Sequence, residues 1–165
     1  MRKNWWAGVV MATLTMNEGV DRLAGHYRFV GGQRERKAWE EAIEDVVVEM
    51  NLIVRGMARK RIRETNRIAD EVTIERRDNE LSIRLDDHTY TAAFDGASHG
   101  TKSVGGDGVR VLHQLEGGRI QQSLLGEDGG RVNTFSIEEG RMRVRVRVFS
   151  ARLPRDLRYE LTYEK

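Results

Sequence analysis

The feature that most restricts how this chain folds is a single helical insert, from Gln33 to about Ile68, set between one strand and a long succession of others. The strand before it reads Leu23-Ala24-Gly25-His26-Tyr27-Arg28-Phe29-Val30 and stops at Gly31-Gly32. From about Glu71 onward the pattern is period-two alternation punctuated by turn residues, as expected of half-buried strands joined by hairpins. The spacing predicts strands at Val72–Arg77 and Leu81–Leu85 around Asp78-Asn79, and at Thr89–Phe94 before Asp95-Gly96. Further strands are expected at Val109–Leu115 and Ile120–Leu125 around Gly117-Gly118, then at Val132–Ile137, Met142–Phe149 and Leu157–Tyr163. A weak strand near Lys102–Val104 falls inside a loose glycine-rich stretch. The expected fold is mostly β: an antiparallel up-and-down β-barrel of about ten strands, with a helix-turn-helix lid inserted between the first and second strands.

Within the insert, Trp39, Ile43, Val46 and Met50 fall at spacings of four, three and four, which makes one apolar stripe. Asn51 is the natural break and divides the insert into helices of about 34–50 and 52–66. The second carries Ile53 and Met57 with Val54, Ala58 and Ile62 beside them. Trp39 and Met57 are expected on the underside of the lid, over any ligand. Ahead of the first strand, a helical turn offers Val20 and Leu23 to plug one end of the barrel.

The length of 165 residues suits one domain with a proper core, assigned to 17–165 and preceded by a leader or tail at 1–16. The formal charge is only +2, so a pI near 9.1 reflects a small excess of base and gives weak support for nucleic-acid binding. The chain has no cysteine, which excludes disulfides and thiolate metal sites. Arg2 and Lys3 precede the apolar run Trp5 to Met11, which is too short to span a bilayer. A cytoplasmic placement is expected, with export through this weak N-terminal signal as the alternative.

Gly25-His26-Tyr27 follows a short apolar turn and opens a strand, and the lid comes next. This order resembles the calycin superfamily, in particular the fatty-acid-binding-protein and lipocalin-like barrels, where a Gly-x-Trp motif occupies that position. The resemblance covers Val20 to Lys165 and implies a start at Met16. It also implies a ligand carboxylate held by an arginine two residues before a tyrosine on the last strand. Tyr163 resembles that tyrosine, but the position two before it is Leu161. Arg158 has the opposite parity and is expected outside.

On the last strand Leu157, Tyr159, Leu161 and Tyr163 share one face, expected to point inward. Tyr163, Tyr159, Tyr90, His113 and Gln122 are the candidate polar contacts to a ligand, with Trp39 and Met57 above it. Arg141, Arg143, Arg145 and Arg147 alternate with apolar residues and must face solvent, because four unpaired guanidiniums inside a small lumen would be prohibitive. Arg55, Arg59, Lys60, Arg61, Arg63 and Arg67 make the second helix basic, while Glu40, Glu41, Glu44, Asp45 and Glu49 make the first acidic. Folded back, the helices neutralise one another; alternatively, the basic one makes transient contact with an anionic membrane surface.

His26, His88, His99 and His113 show no paired spacing, so no metal site is expected, and no cofactor signature occurs. The expected function is non-covalent binding and carriage of a small hydrophobic or amphipathic ligand, fatty-acid or lipid-like. One alternative is an isomerase or hydratase acting on a lipid-like substrate in the same barrel, with His113 as the candidate acid or base. Another is a nucleic-acid-binding module, which lacks the interleaved aromatics it would need and is not expected.

Overall fold

The computed structural model describes residues 18–94, 96–103 and 105–165. The leader or tail at 1–16, Asp95 of one expected turn and Val104 of the weak strand lie outside them. Ten strands among the described residues form one antiparallel sheet: β1 (Gly25–Phe29), β2 (Glu71–Arg77), β3 (Glu80–Leu85), β4 (His88–Ala93), β5 (His99–Lys102), β6 (Gly108–Glu116), β7 (Arg119–Leu125), β8 (Gly129–Glu138), β9 (Arg141–Ser150) and β10 (Leu157–Glu164). Their spatial order is β4-β3-β2-β1-β10-β9-β8-β7-β6-β5, so β1 pairs with β10 and the sheet curls into a nearly closed barrel. Its open seam lies between β4 and β5. Two helices, α1 (Gly32–Val47) and α2 (Leu52–Thr65), stand between β1 and β2 as expected.

Strand alternation fixes the interior. Val72, Ile74, Leu81, Ile83, Ile120, Phe135, Met142 and Tyr163 are each at most 1% exposed and pack into the lumen. Full burial of such a side chain contributes about 1.5–3 kcal/mol. Residues 18–23 are helical, and Val20 and Leu23 close one end, with the Tyr27 hydroxyl donating to the Leu23 carbonyl at 2.9 Å. Two hairpins turn on consecutive residues with positive φ, Gly117-Gly118 and Glu139-Gly140, the geometry that matches strand twist. The weak strand forms earlier than expected, at His99–Lys102.

The arginines of β9 face outward and each meets an acid. Arg145 reaches Glu138 at 2.8 Å and Glu160 at 2.9 Å, and Arg147 reaches Asp156 at 2.7 Å. The bond from Arg145 holds the Glu138 carboxyl below its usual range.

The lid departs from its sequence pattern in one helix. In α1, Ile43, Val46 and Val47 are buried against the barrel, with Trp39 and Met50 packed beside them. In α2 only Ile62 is buried, while Ile53 is 88% exposed and Met57 76% exposed. Met57 is therefore not on an apolar underside. The helices meet through ions instead: Arg59 makes a two-pronged bond to Glu44, and Arg63 reaches Glu40 at 2.6 Å. These pairs take up the inner side of α2 and leave its first turns in solvent.

Candidate functional site

A cavity of about 550 Å³ opens at the barrel end that carries the C-terminus of α2. Its apolar wall comes from inward positions of several strands: Leu85, Tyr90, Val109, Leu124 and Val148, with Phe149 at the edge. Thr65 and Asn66 from the end of α2 and the loops around Asp107 and Asp128 form the rim. Gly130 lets β8 pass close to β7 here, since a Cβ on it would lie 2.7 Å from the Leu124 carbonyl oxygen. Below the cavity, buried side chains such as Ile74, Ile83, Ile120, Phe135 and Met142 pack the lumen, and a gap of about 30 Å³ is lined by Val72, Leu85, Val144, Leu161 and Tyr163. The usable space is thus at the mouth.

Arg131 lines both the cavity and the gap below it. It is half-buried and has no ion-pair partner among the described residues. Its Nε donates to Asn133 Oδ1 at 2.8 Å, and Asn133 Nδ2 donates to Gln122 Oε1 at 2.8 Å. Gln122 Nε2 then lies 3.3 Å from His113 Nε2. The chain has one direction: an amide N–H is aimed at His113 Nε2, so that nitrogen accepts and the ring proton sits on Nδ1. Nδ1 is buried without a well-formed hydrogen bond. Burial pushes the His113 imidazole down to about 4, and the polar backbone of Ala92 and Leu81 offsets only part of that. His113 is therefore neutral at ordinary pH.

The residues singled out from the sequence separate into groups. Tyr90 lines the cavity, buried and with its ring centroid 5.1 Å from that of His88. Gln122 and His113 point inward but lie beneath the cavity, behind Asn133 and Arg131. Tyr159 and Tyr163 also point inward, yet their hydroxyls donate to backbone, to Asn66 at 3.2 Å and Ala69 at 2.9 Å. Burial raises both phenols, which stay protonated. Trp39 likewise donates to the Asn66 carbonyl at 3.0 Å, so these three aromatics hold the connection from α2 to β2. Met57 stands outside, away from the cavity lining.

Sequence reasoning missed Arg131 and Asn133. The signal was available: Arg131, Asn133, Phe135 and Ile137 share one parity, and Phe135 marks it as the inner one. Starting the strand at Val132 left Arg131 outside the pattern.

No family model matches this sequence, and no curated protein does. Solved structures match its shape. The REP1-NXSQ fatty acid transporter superposes with a TM-score of 0.53 at 15% identity, over 87% of this chain and 95% of its own. A Schistosoma mansoni fatty acid binding protein in complex with arachidonic acid gives 0.55 at 10% identity, over 89% and 98%. A secretory abundant heat soluble protein from Ramazzottius varieornatus gives 0.54 at 10% identity, over 87% and 95%. At such low identity the likeness is one of fold: the chain is a lidded, nearly closed ten-stranded barrel, the shape it shares with these proteins.

Proposed function

We propose that this protein binds and carries a small hydrophobic or amphipathic ligand, fatty-acid or lipid-like, in the cavity at the barrel mouth. The observation that carries this reading is the cavity of about 550 Å³, walled by Leu85, Tyr90, Val109, Leu124 and Val148 beneath a helical lid. That volume lies in the range of small-molecule sites, and apolar contact would supply most of the affinity. Support also comes from barrels of similar fold that are described as a fatty acid transporter and as a complex with arachidonic acid. Native mass spectrometry of the purified protein, followed by organic extraction, tests it. A co-purifying lipid is expected, or displacement of a fluorescent fatty acid from the empty protein. An empty barrel that binds no such probe would overturn the reading.

Transient contact with an anionic membrane belongs to the same proposal. Its support is the exposed run Leu52, Ile53, Val54 and Met57 at the tip of the lid, next to Arg55. Most other bases of α2 are engaged by acids, so the apolar tip rather than the basic charge would insert. Co-sedimentation with phosphatidylserine vesicles is expected, and Ile53→Asp with Met57→Asp should abolish it. Sedimentation that survives both changes would refute this surface.

A further inference from the structure

We infer that the closed end of the barrel carries a second, polar site, which takes a small phosphate monoester with hydroxyl groups on its carbon part, held by Arg22 and Arg119. It lies at the opposite end from the ligand cavity and stands independently of carriage.

The site is a cleft of about 220 Å³ between the helical turn of residues 18–23, the β6–β7 hairpin and the end of β8. Arg22, Gly117, Gly118, Arg119, Ser136 and Glu138 line it. Glycine makes the room. A Cβ on Gly19 would lie 3.1 Å from the Gly118 Cα, so the turn rests directly on the hairpin backbone. Gly117 and Gly118 hold positive φ, with open space where side chains would stand.

Charge decides what belongs there. Arg22 and Arg119 form no ion pair or side-chain hydrogen bond among the described residues, whereas the arginines of β9 each meet an acid. Glu116, opposite Arg119 in the ladder, makes no ion pair with it and does not line the cleft. The acid that does line it, Glu138, is met by Arg145 at 2.8 and 3.1 Å and by the Ser136 hydroxyl at 2.9 Å. Two cations are thus left over at one cleft. Two guanidiniums suit a dianion, because each offers planar N–H donors to a pair of oxygens, and a single carboxylate would balance only one of them. The amides of Gly117 and Gly118 have no acceptor among the described residues and add neutral donors. Glu138 keeps lone pairs for a ligand hydroxyl. The cleft is smaller than the roughly 300–1,000 Å³ of drug-sized sites, which limits the carbon part to a few atoms.

Titration with glycerol phosphate, inorganic phosphate and glycerol at constant ionic strength, followed by amide NMR shifts, separates the outcomes. The Gly117 and Gly118 signals should saturate with the ester at a dissociation constant on the order of 1 mM, and glycerol should leave them unmoved. Inorganic phosphate should bind about threefold more weakly or worse, since it lacks the hydroxyls for Glu138. Arg22→Gln and Arg119→Gln should each weaken the ester at least about tenfold, with signals far from the cleft unchanged. Phosphate binding as tight as that of the ester would mean an adventitious ion only and overturn the site. Shifts that survive both substitutions together would overturn it as well. Vesicles containing phosphatidic acid that capture the protein through Arg22 and Arg119, without any response to the soluble ester, would assign the cleft to a lipid head and refute the soluble ligand.

Discussion

Glu35 shows how much one side chain can hold when the backbone around it is shaped to receive it. Where β1 leaves β10, the carboxylate accepts from the Thr162 amide at 2.7 Å and from its hydroxyl, replacing the strand that has turned away. It also lies 3.6 Å from Arg143. A Cβ at Gly31 would overlap this carboxylate and come within 2.8 Å of its own Cβ. Gly31→Ala should therefore destabilise by about 1–3 kcal/mol, and by much less when Glu35→Ala is already present. A double-mutant cycle in urea measures that coupling, and additivity would refute it. His113 governs a different observable. Its folded pKa of about 4 lies below the 6.5 of a free imidazole, so between those values only the unfolded chain takes up the proton. Stability should fall as the pH drops from about 6.5 to 4 and level off below, a loss on the order of 3 kcal/mol. Urea midpoints across that range should show this slope, and His113→Gln should flatten it. The paired carboxylates Glu44 and Glu138, whose pKa values are lowered, lose their contribution only at more acidic pH, so the two effects separate.

Among the elements, the lid hairpin illustrates why charged contacts and apolar contacts differ in weight. Glu44 and Arg59 are only partly buried, with about a third of each side chain in solvent, so Glu44→Gln should cost no more than about 1 kcal/mol. Ile43, the neighbouring residue of α1, is fully buried against the barrel, and Ile43→Ala should cost about 2–5 kcal/mol. Asn51 caps α2 by accepting from the Ile53 amide at 3.0 Å, so Asn51→Ala should cost about 1 kcal/mol and Asn51→Ser little. Thermal unfolding of the four variants ranks these terms. The stripe on α1 could be read from spacing because its neighbour is the barrel itself. The stripe on α2 could not. Ile53 and Met57 look like core, yet Arg59 and Arg63 occupy the side toward α1, and ion pairs form without apolar burial. The outward arginines of β9 followed from the cost of burying them, and each finds an acid nearby: Arg141 meets Glu164, Arg143 and Arg145 meet Glu160, and Arg147 meets Asp156 just before β10.

For the whole molecule the decisive fact is a sheet that nearly meets itself. β4 and β5 share no ladder, and His88 Nε2 spans to the Lys102 carbonyl at 2.8 Å. β5 is exposed along its whole length, whereas β8, β9 and β10 lie in the middle of the strand order. Amide hydrogen exchange should be fastest in β5 and slowest in β8 to β10, and uniform protection would contradict an open seam. What the residues determined on their own was periodicity: two for the strands, 3.6 for the insert. From that came the barrel, the place of the lid and the inward faces of β9 and β10, because side-chain parity is local to each strand. What only the tertiary structure decided was pairing. It committed Tyr159, Tyr163 and Trp39 to the backbone after α2, packed the lower lumen, and left Arg131 without a counter-ion among the described residues at the floor of the mouth. Such pairing depends on the register between strands far apart in the chain, and no spacing along one strand contains it.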